Sequence, residues 1–170
     1  MRNIEAKFKL RDLERARERA LAMGFAARGE FEQRDTFFVV ANGKLKLREQ
    51  EGAGASMIYY SRERYDRLDL SNYEIVMVAD GAAMRAVLAA ALGVLAEVRK
   101  QRTLLTRANV RLHLDRIDGL GEFGEIEAVL AEDDSVAANQ AAAREILTGL
   151  GITDADRVEM SYFELLLKRK

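Results

Sequence analysis

The 170-residue chain contains no cysteine. That absence excludes a disulfide scaffold, a zinc–thiolate site, an iron–sulfur cluster and a thiol nucleophile, and no oxidising compartment is needed. An excess of either charge is missing too: 27 Lys and Arg face 28 Asp and Glu, for a formal net charge of -1. No bulk basic field favours nucleic acid, so a nucleic-acid partner is not expected. Long apolar runs are also lacking. The N-terminus, Met1-Arg2-Asn3-Ile4-Glu5-Ala6-Lys7, interleaves charges where a signal peptide needs apolar residues, and no segment reaches the roughly 18 apolar residues of a membrane helix. A cytoplasmic protein with no membrane partner is the expectation. With 49% hydrophobic and 32% charged residues the composition is globular. The length suits one domain spanning 1–170, able to bury roughly two-thirds of its unfolded surface.

About eight segments alternate with period 2, the pattern of strands whose faces differ. They run over Asn3 to Arg11, Arg34 to Val40, Lys44 to Gln50, Ser56 to Arg64, Asn72 to Ala79, Glu97 to Thr106, Asn109 to Ile117 and Phe123 to Leu130. Short links such as Asn42-Gly43, a hairpin signal, imply antiparallel pairing. Helical stretches lie between them. Asp12 can cap a helix over Leu13 to Met23 that stops at Gly24, and Asp80 can precede Ala82 to Leu92. Ser135 to Leu150 reads as a third helix and Ser161 to Lys170 as a fourth with a cationic last turn.

Every second residue of the strands is charged in a sustained way. Asn3, Glu5, Lys7, Lys9 and Arg11 share one face of the first strand, and Lys44, Lys46 and Arg48 one face of the third. The opposite faces carry Ile4, Ala6, Phe8 and Leu10, and Leu45 and Leu47, which the helices are expected to cover. Later strands repeat the pattern: Lys100 with Arg102, Arg111 with His113 and Asp115, and Glu125 with Glu127. A single charged strand face ordinarily meets water. Here the signs segregate: Lys44, Lys46, Arg48, Lys100 and Arg102 gather cations, whereas Glu5, Asp115, Glu125 and Glu127 gather carboxylates. Converging Lys and Arg can hold phosphate oxygens, and several carboxylates can hold a hard divalent cation such as Mg²⁺. Closing the sheet would turn these faces into a wet lumen, and eight strands enclose space for a small ligand.

Asn3-Ile4-Glu5-Ala6-Lys7 resembles the opening E-x-E-x-K motif of the CYTH superfamily, the triphosphate tunnel metalloenzymes, with Asn3 in place of the first Glu. The resemblance continues in order through Gly43-Lys44-Leu45-Lys46-Leu47-Arg48, Tyr59-Tyr60-Ser61-Arg62, Lys100-Gln101-Arg102 and the segment from Leu114-Asp115 to Glu125-Ile126-Glu127, and Ser161 to Leu166 fits as well. It spans nearly the whole chain. It implies an α+β fold: a closed eight-stranded antiparallel β-barrel with a polar lumen and helices packed outside. It also implies a small-molecule triphosphate ligand of the inorganic triphosphate, ATP or thiamine triphosphate class, together with Mg²⁺ or Mn²⁺.

By position, the resemblance assigns metal binding to Glu5, Glu125 and Glu127, with Asp115 as another ligand or as a base. Phosphate falls to Lys7, Lys46, Arg48, Arg62, Lys100 and Arg102, and Arg111 shares the polar face with them as a further substrate contact. Lys7 and Asp115 are the residues placed closest to the chemistry. The expected activity is a divalent-metal-dependent triphosphatase. The alternatives are a class IV adenylyl cyclase that converts ATP to cyclic AMP and pyrophosphate, and a non-catalytic polyphosphate or nucleotide binding module. An amide at position 3 offers a carbonyl oxygen without charge, so metal binding weaker or differently arranged than in the full motif is expected. The N-terminus also lacks the His-Phe element of some class IV cyclases, which weighs against cyclisation. The resemblance and the apolar helix faces together suggest a homodimer.

Three further features invite over-reading. His113 is the one histidine; beside Arg111 and Asp115 a structural or substrate-positioning role is expected ahead of acid–base chemistry. Tyr59 and Tyr60 point to opposite faces, so one of them reaches a ligand and the other packs. Gly119, Gly121 and Gly124 lack the strand-to-helix G-x-G-x-x-G context and read as a strand connection.

Overall fold

The computed structural model describes residues 2–65 and 68–169, with the side chains of 62–70 left aside. Eight long strands form the body: β1 (Arg2–Lys9), β2 (Ala26–Phe38), β3 (Lys44–Gln50), β4 (Gly54–Tyr65), β5 (Leu68–Val78), β6 (Val94–Arg107), β7 (Val110–Ile117) and β8 (Gly121–Leu130). Their neighbours follow the order β5-β4-β3-β2-β6-β7-β8-β1, all antiparallel. A further pairing of β1 with β5, from Arg2 opposite Asn72 to Glu5 opposite Asp69, closes the barrel. Past that point β1 pairs instead with β9 (Arg157–Val158), a two-residue strand too short for its alternation to be legible beforehand.

Every strand expected from alternation is present, with shifted ends. The largest correction is at β2, which begins at Ala26 rather than Arg34. Ala26 to Gln33 shows no clean alternation, and it is extended because β6 pairs with it along its length, across a register shift between Ala27 and Gly29. At the other end of β2, Gly43 turns the chain into β3 with φ 63°, a conformation that favours glycine.

Helices α1 (Leu13–Ala22) and α3 (Val136–Leu150) start on side-chain caps, Asp12 accepting from the Arg15 amide at 3.0 Å and Ser135 from the Ala138 amide at 3.3 Å. Their apolar stripes, Leu13, Ala16 and Ala20, and Ala143, Ile146, Leu147 and Leu150, are buried. They cover the outer face of β1, β7 and β8, where Ile4, Phe8, Leu112, Leu114 and Ile126 form the main core. α2 (Gly81–Leu92) lies over Phe38, Leu47 and Ala55 of β2 to β4 through Leu88 and Ala89. α4 (Tyr162–Lys168) packs against β6 and sends Tyr162 and Phe163 onto Phe123 and Phe37, with ring centroids 5.5 and 4.5 Å apart. No helix among the described residues is long and apolar enough to cross a membrane.

β1 is therefore buried on both faces. Ile4, Ala6 and Phe8 point to the helices, while Asn3, Glu5 and Lys7 point inward, and all six are buried. Lys9, expected on the same inner face, is exposed, and Arg11 lies beyond the strand.

Candidate active site in the barrel lumen

Inside the barrel lies a cavity of about 140 Å³, lined by Asn3, Glu5 and Lys7 of β1, Asp35 of β2, Lys46 and Arg48 of β3, Lys100 of β6, Arg111 of β7, and Glu125 and Glu127 of β8. Strand alternation places each of them inward while the residue before and after faces outward. Less polar side chains line the same cavity: Phe37, Ile58, Tyr60, Tyr73, Ile75 and Tyr162. Tyr60 is buried in this wall, whereas Tyr59 stands 42% exposed outside.

The cations of β3 and β6 converge on one buried carboxylate. Asp35 accepts two hydrogen bonds from Arg48, at 2.7 and 2.9 Å, and one each from Lys46 and Lys100 at 3.2 Å. Burial alone would raise the Asp35 pKa, but Arg48, Lys100 and Lys46 together outweigh it and hold the carboxyl well below its ordinary value. The opposite effect acts on the lysines. Burial and the adjacent Arg48 pull the Lys46 ammonium down to about 7, and burial and Arg102 lower that of Lys100. Lys46, Arg48 and Lys100 thus all meet at Asp35, so three donors face one place in the lumen. Asp35 was not singled out from the sequence; Arg34-Asp35-Thr36 reads as ordinary strand, and only the register that sets Asp35 opposite Arg48 reveals its role.

The carboxylates gather on the other side. Glu125 receives Lys7 at 2.5 Å and Arg102 at 3.1 Å, and Lys7 also reaches Glu5 at 3.2 Å. Burial raises the Glu125 pKa, yet Lys7, the His113 ring and Arg102 override it and hold the group well below the usual range. Arg111 lies 3.9 Å from Glu127. Asp115 is fully buried and gripped by Arg102 through two hydrogen bonds, and neither residue lines the cavity itself. Tyr162 stands between the two groups, with the ammoniums of Lys7 and Lys100 5.9 and 5.6 Å from its ring centroid. The Arg62 side chain lies outside the described residues, and its backbone pairs with Ser71.

The donor set suits a divalent cation. His113, Glu125 and Glu127 each present a ligand atom within 4.8 Å of the others, and Glu5 stands opposite Glu127 in the strand register.

The CYTH domain family matches residues 1–162. The chain belongs to that family. A Methanocaldococcus jannaschii protein provisionally named an adenylate cyclase is 25% identical over 178 residues, covering 97% of this chain and 98% of its own. Among solved structures, the PH1012 protein of Pyrococcus horikoshii OT3 superposes with a TM-score of 0.86 at 21% identity, over 96% of this chain and 98% of that one. A Hippeastrum protein, provisionally described as an adenylyl cyclase and found to have a dominant triphosphatase activity, superposes with a TM-score of 0.70 at 17% identity, over 99% and 96% of the two chains. The two solved structures share the fold of this chain.

Proposed function

We propose that the protein is a divalent-metal-dependent triphosphatase that hydrolyses inorganic triphosphate or a nucleotide or other organic triphosphate. The observation that carries this reading is the division of one lumen into two opposed sets: Lys46, Arg48 and Lys100 around Asp35, and Glu125 and Glu127 beside Lys7. An elongated polyanion laid between them meets cations along its length and carboxylates at its reacting end. Glu125 and Glu127, with Glu5 beside them, would hold Mg²⁺ or Mn²⁺, which supplies charge neutralisation and Lewis acidity at the phosphoryl oxygens. Lys46, Arg48 and Lys100 orient the phosphate chain and neutralise the charge that develops on transfer. Arg102, fixed by Asp115, also holds Glu125 in place, and Lys7 stands where it can balance charge on the leaving oxygen.

The aromatic part of the cavity lining supports a second reading. Tyr60, Tyr73 and Phe37 form a wall against which an adenine could stack, and the Methanocaldococcus relative carries a cyclase name. In an adenylyl cyclase the ribose 3′-hydroxyl attacks the α-phosphorus and pyrophosphate leaves.

The test is to incubate pure protein with ATP or inorganic triphosphate, with Mg²⁺ or Mn²⁺, and to separate cyclic AMP, pyrophosphate and orthophosphate. The control is a Glu125→Gln/Glu127→Gln variant, expected to lose about a hundredfold or more in turnover. Orthophosphate without cyclic AMP is the expected outcome. Cyclic AMP with pyrophosphate makes it a cyclase, and tight binding without turnover under either metal makes it a binding module.

A further inference from the structure

His113 is buried at 6% exposure on the lumen face of β7, directly opposite Glu125 in the strand register. Its Nδ1 is shielded from solvent and meets no acceptor in good hydrogen-bond geometry. A buried polar nitrogen left without a partner is costly, and such atoms mark a missing ion, water or ligand. The nearest acceptors are Glu125 Oε2 at 3.5 Å and Glu127 Oε1 at 3.9 Å. Two ligands each about 2.1 Å from one ion stand about 3.0 Å apart at right angles and about 4.2 Å apart when opposed. Both observed separations fall between those bounds. The nitrogen thus stands at ligand spacing from each carboxylate, and all three groups offer a ligand atom within 4.8 Å of the others.

We propose that the His113 imidazole is a nitrogen ligand of the divalent cation and that it makes the site select Mn²⁺ over Mg²⁺. The inference rests on the metal-dependent reading above and deepens it. Carboxylate oxygens alone serve Mg²⁺ and Mn²⁺ alike, but an imidazole nitrogen suits first-row transition ions, whereas Mg²⁺ is a hard ion that keeps oxygen ligands and sheds water reluctantly. The remaining lumen groups reinforce the choice. Lys7 and Arg102 both lie on Glu125, so an ion competes with two cations for that carboxylate. Glu127 stands farther from its neighbours, 3.9 Å from both Arg111 and His113. An imidazole nitrogen adds a ligand on the Glu127 side of the site without adding a further carboxylate.

The full-length protein tests this without substrate. Mn²⁺ affinity is measured by the loss of the free-ion electron paramagnetic resonance signal, and Mg²⁺ affinity by calorimetry. Pulsed resonance on the Mn²⁺-loaded protein then reports imidazole ¹⁴N coupling. The expected result is coupling from one imidazole in the wild type and an affinity for Mn²⁺ at least about tenfold above that for Mg²⁺. In His113→Gln, which keeps an oxygen donor, the coupling disappears and Mn²⁺ affinity falls about tenfold, while Mg²⁺ affinity stays within about twofold. Glu127→Gln weakens both ions. Mn²⁺ bound without nitrogen coupling, or equal loss of both ions in His113→Gln, overturns the inference; the wild-type spectrum decides even if the variant fails to fold. The triphosphatase reading is judged separately by product formation, so a Mn²⁺ site made only of oxygens leaves it standing.

Discussion

Arg102 and Asp115, directly opposite each other on β6 and β7, form a two-pronged ion pair, Nε to Oδ1 at 2.7 Å and Nη2 to Oδ2 at 2.6 Å, with Asp115 entirely sealed from solvent. Burial raises the Asp115 pKa, but Arg102 more than offsets this and the group ends below its ordinary value. An acid whose folded pKa is depressed stabilises the protein above its unfolded pKa, about 3.9, and loses that contribution as pH falls through the folded value. Asp115→Asn is therefore expected to cost about 3 kcal/mol at pH 7. In urea unfolding the gap to wild type should narrow steadily between about pH 5 and pH 2. A gap that is constant with pH would show that the pair acts through packing rather than charge.

Asp35 makes a contrasting prediction, because its three cationic partners are also the groups proposed to grip phosphate. Asp35→Asn should lower the stability of the free protein by about 3 kcal/mol, since Lys46, Arg48 and Lys100 lose their shared counter-charge. Inorganic triphosphate should restore more stability to this variant than to wild type, the anion no longer competing with a carboxylate. Thermal melts with and without triphosphate check it; an equal ligand shift in both proteins counts against a phosphate role for the trio.

Lys46, held near 7, supplies a proton signature. Its folded pKa lies below the unfolded value of about 10.4, so the unfolded chain binds more protons across that interval and stability rises with pH between the two. A bound polyanion favours the charged ammonium and pushes its pKa back up. At pH 8, calorimetry in buffers of different ionisation enthalpy should register proton uptake on triphosphate binding, an uptake that Lys46→Met reduces. Identical uptake in both proteins would place the polyanion elsewhere.

Gly124 permits the closest approach in the wall between lumen and core. A Cβ there would overlap the Phe8 ring, which is fully buried on the neighbouring strand. Gly124→Ala should destabilise the protein by about 2 kcal/mol through forced displacement of that ring. Gly52→Ala meets no neighbouring atom but sits at φ 72°, so it tests backbone strain separately from crowding. Denaturant midpoints of the two variants decide between packing and backbone conformation as the constraint at Gly124.

Much of the lumen was legible because side-chain direction in a strand is a local property. Glu5, Lys7, Lys46, Arg48, Lys100, Arg102, Glu125 and Glu127 are all inward in the structure, as their parity requires. What parity could not rank was competition among them. Asp115 has the same inward parity as His113, yet it is taken up by Arg102 while His113 remains next to Glu125 and Glu127. Asp35 carries no sequence signal of its own, and Tyr162 shows one only as part of the Ser161-to-Leu166 stretch. One lies in a strand of unremarkable polarity, the other at the head of a short helix, and neither shows its partners until distant strands and α4 are in place.

The sequence by itself determined the strand and helix segments, the caps at Asp12, Asp80 and Ser135, the two unlike faces of each strand and the separation of cationic from acidic stretches. These depend on periods of two and 3.6 residues and on contacts three or four residues apart. Only the tertiary structure decided that β1 closes on β5, that β2 extends back to Ala26 against β6, and that Asp35 meets cations from β3 and β6 while His113 comes to face two carboxylates. Pairing partners and register are set by the summed burial of faces on strands far apart in the chain, and no local pattern encodes that sum.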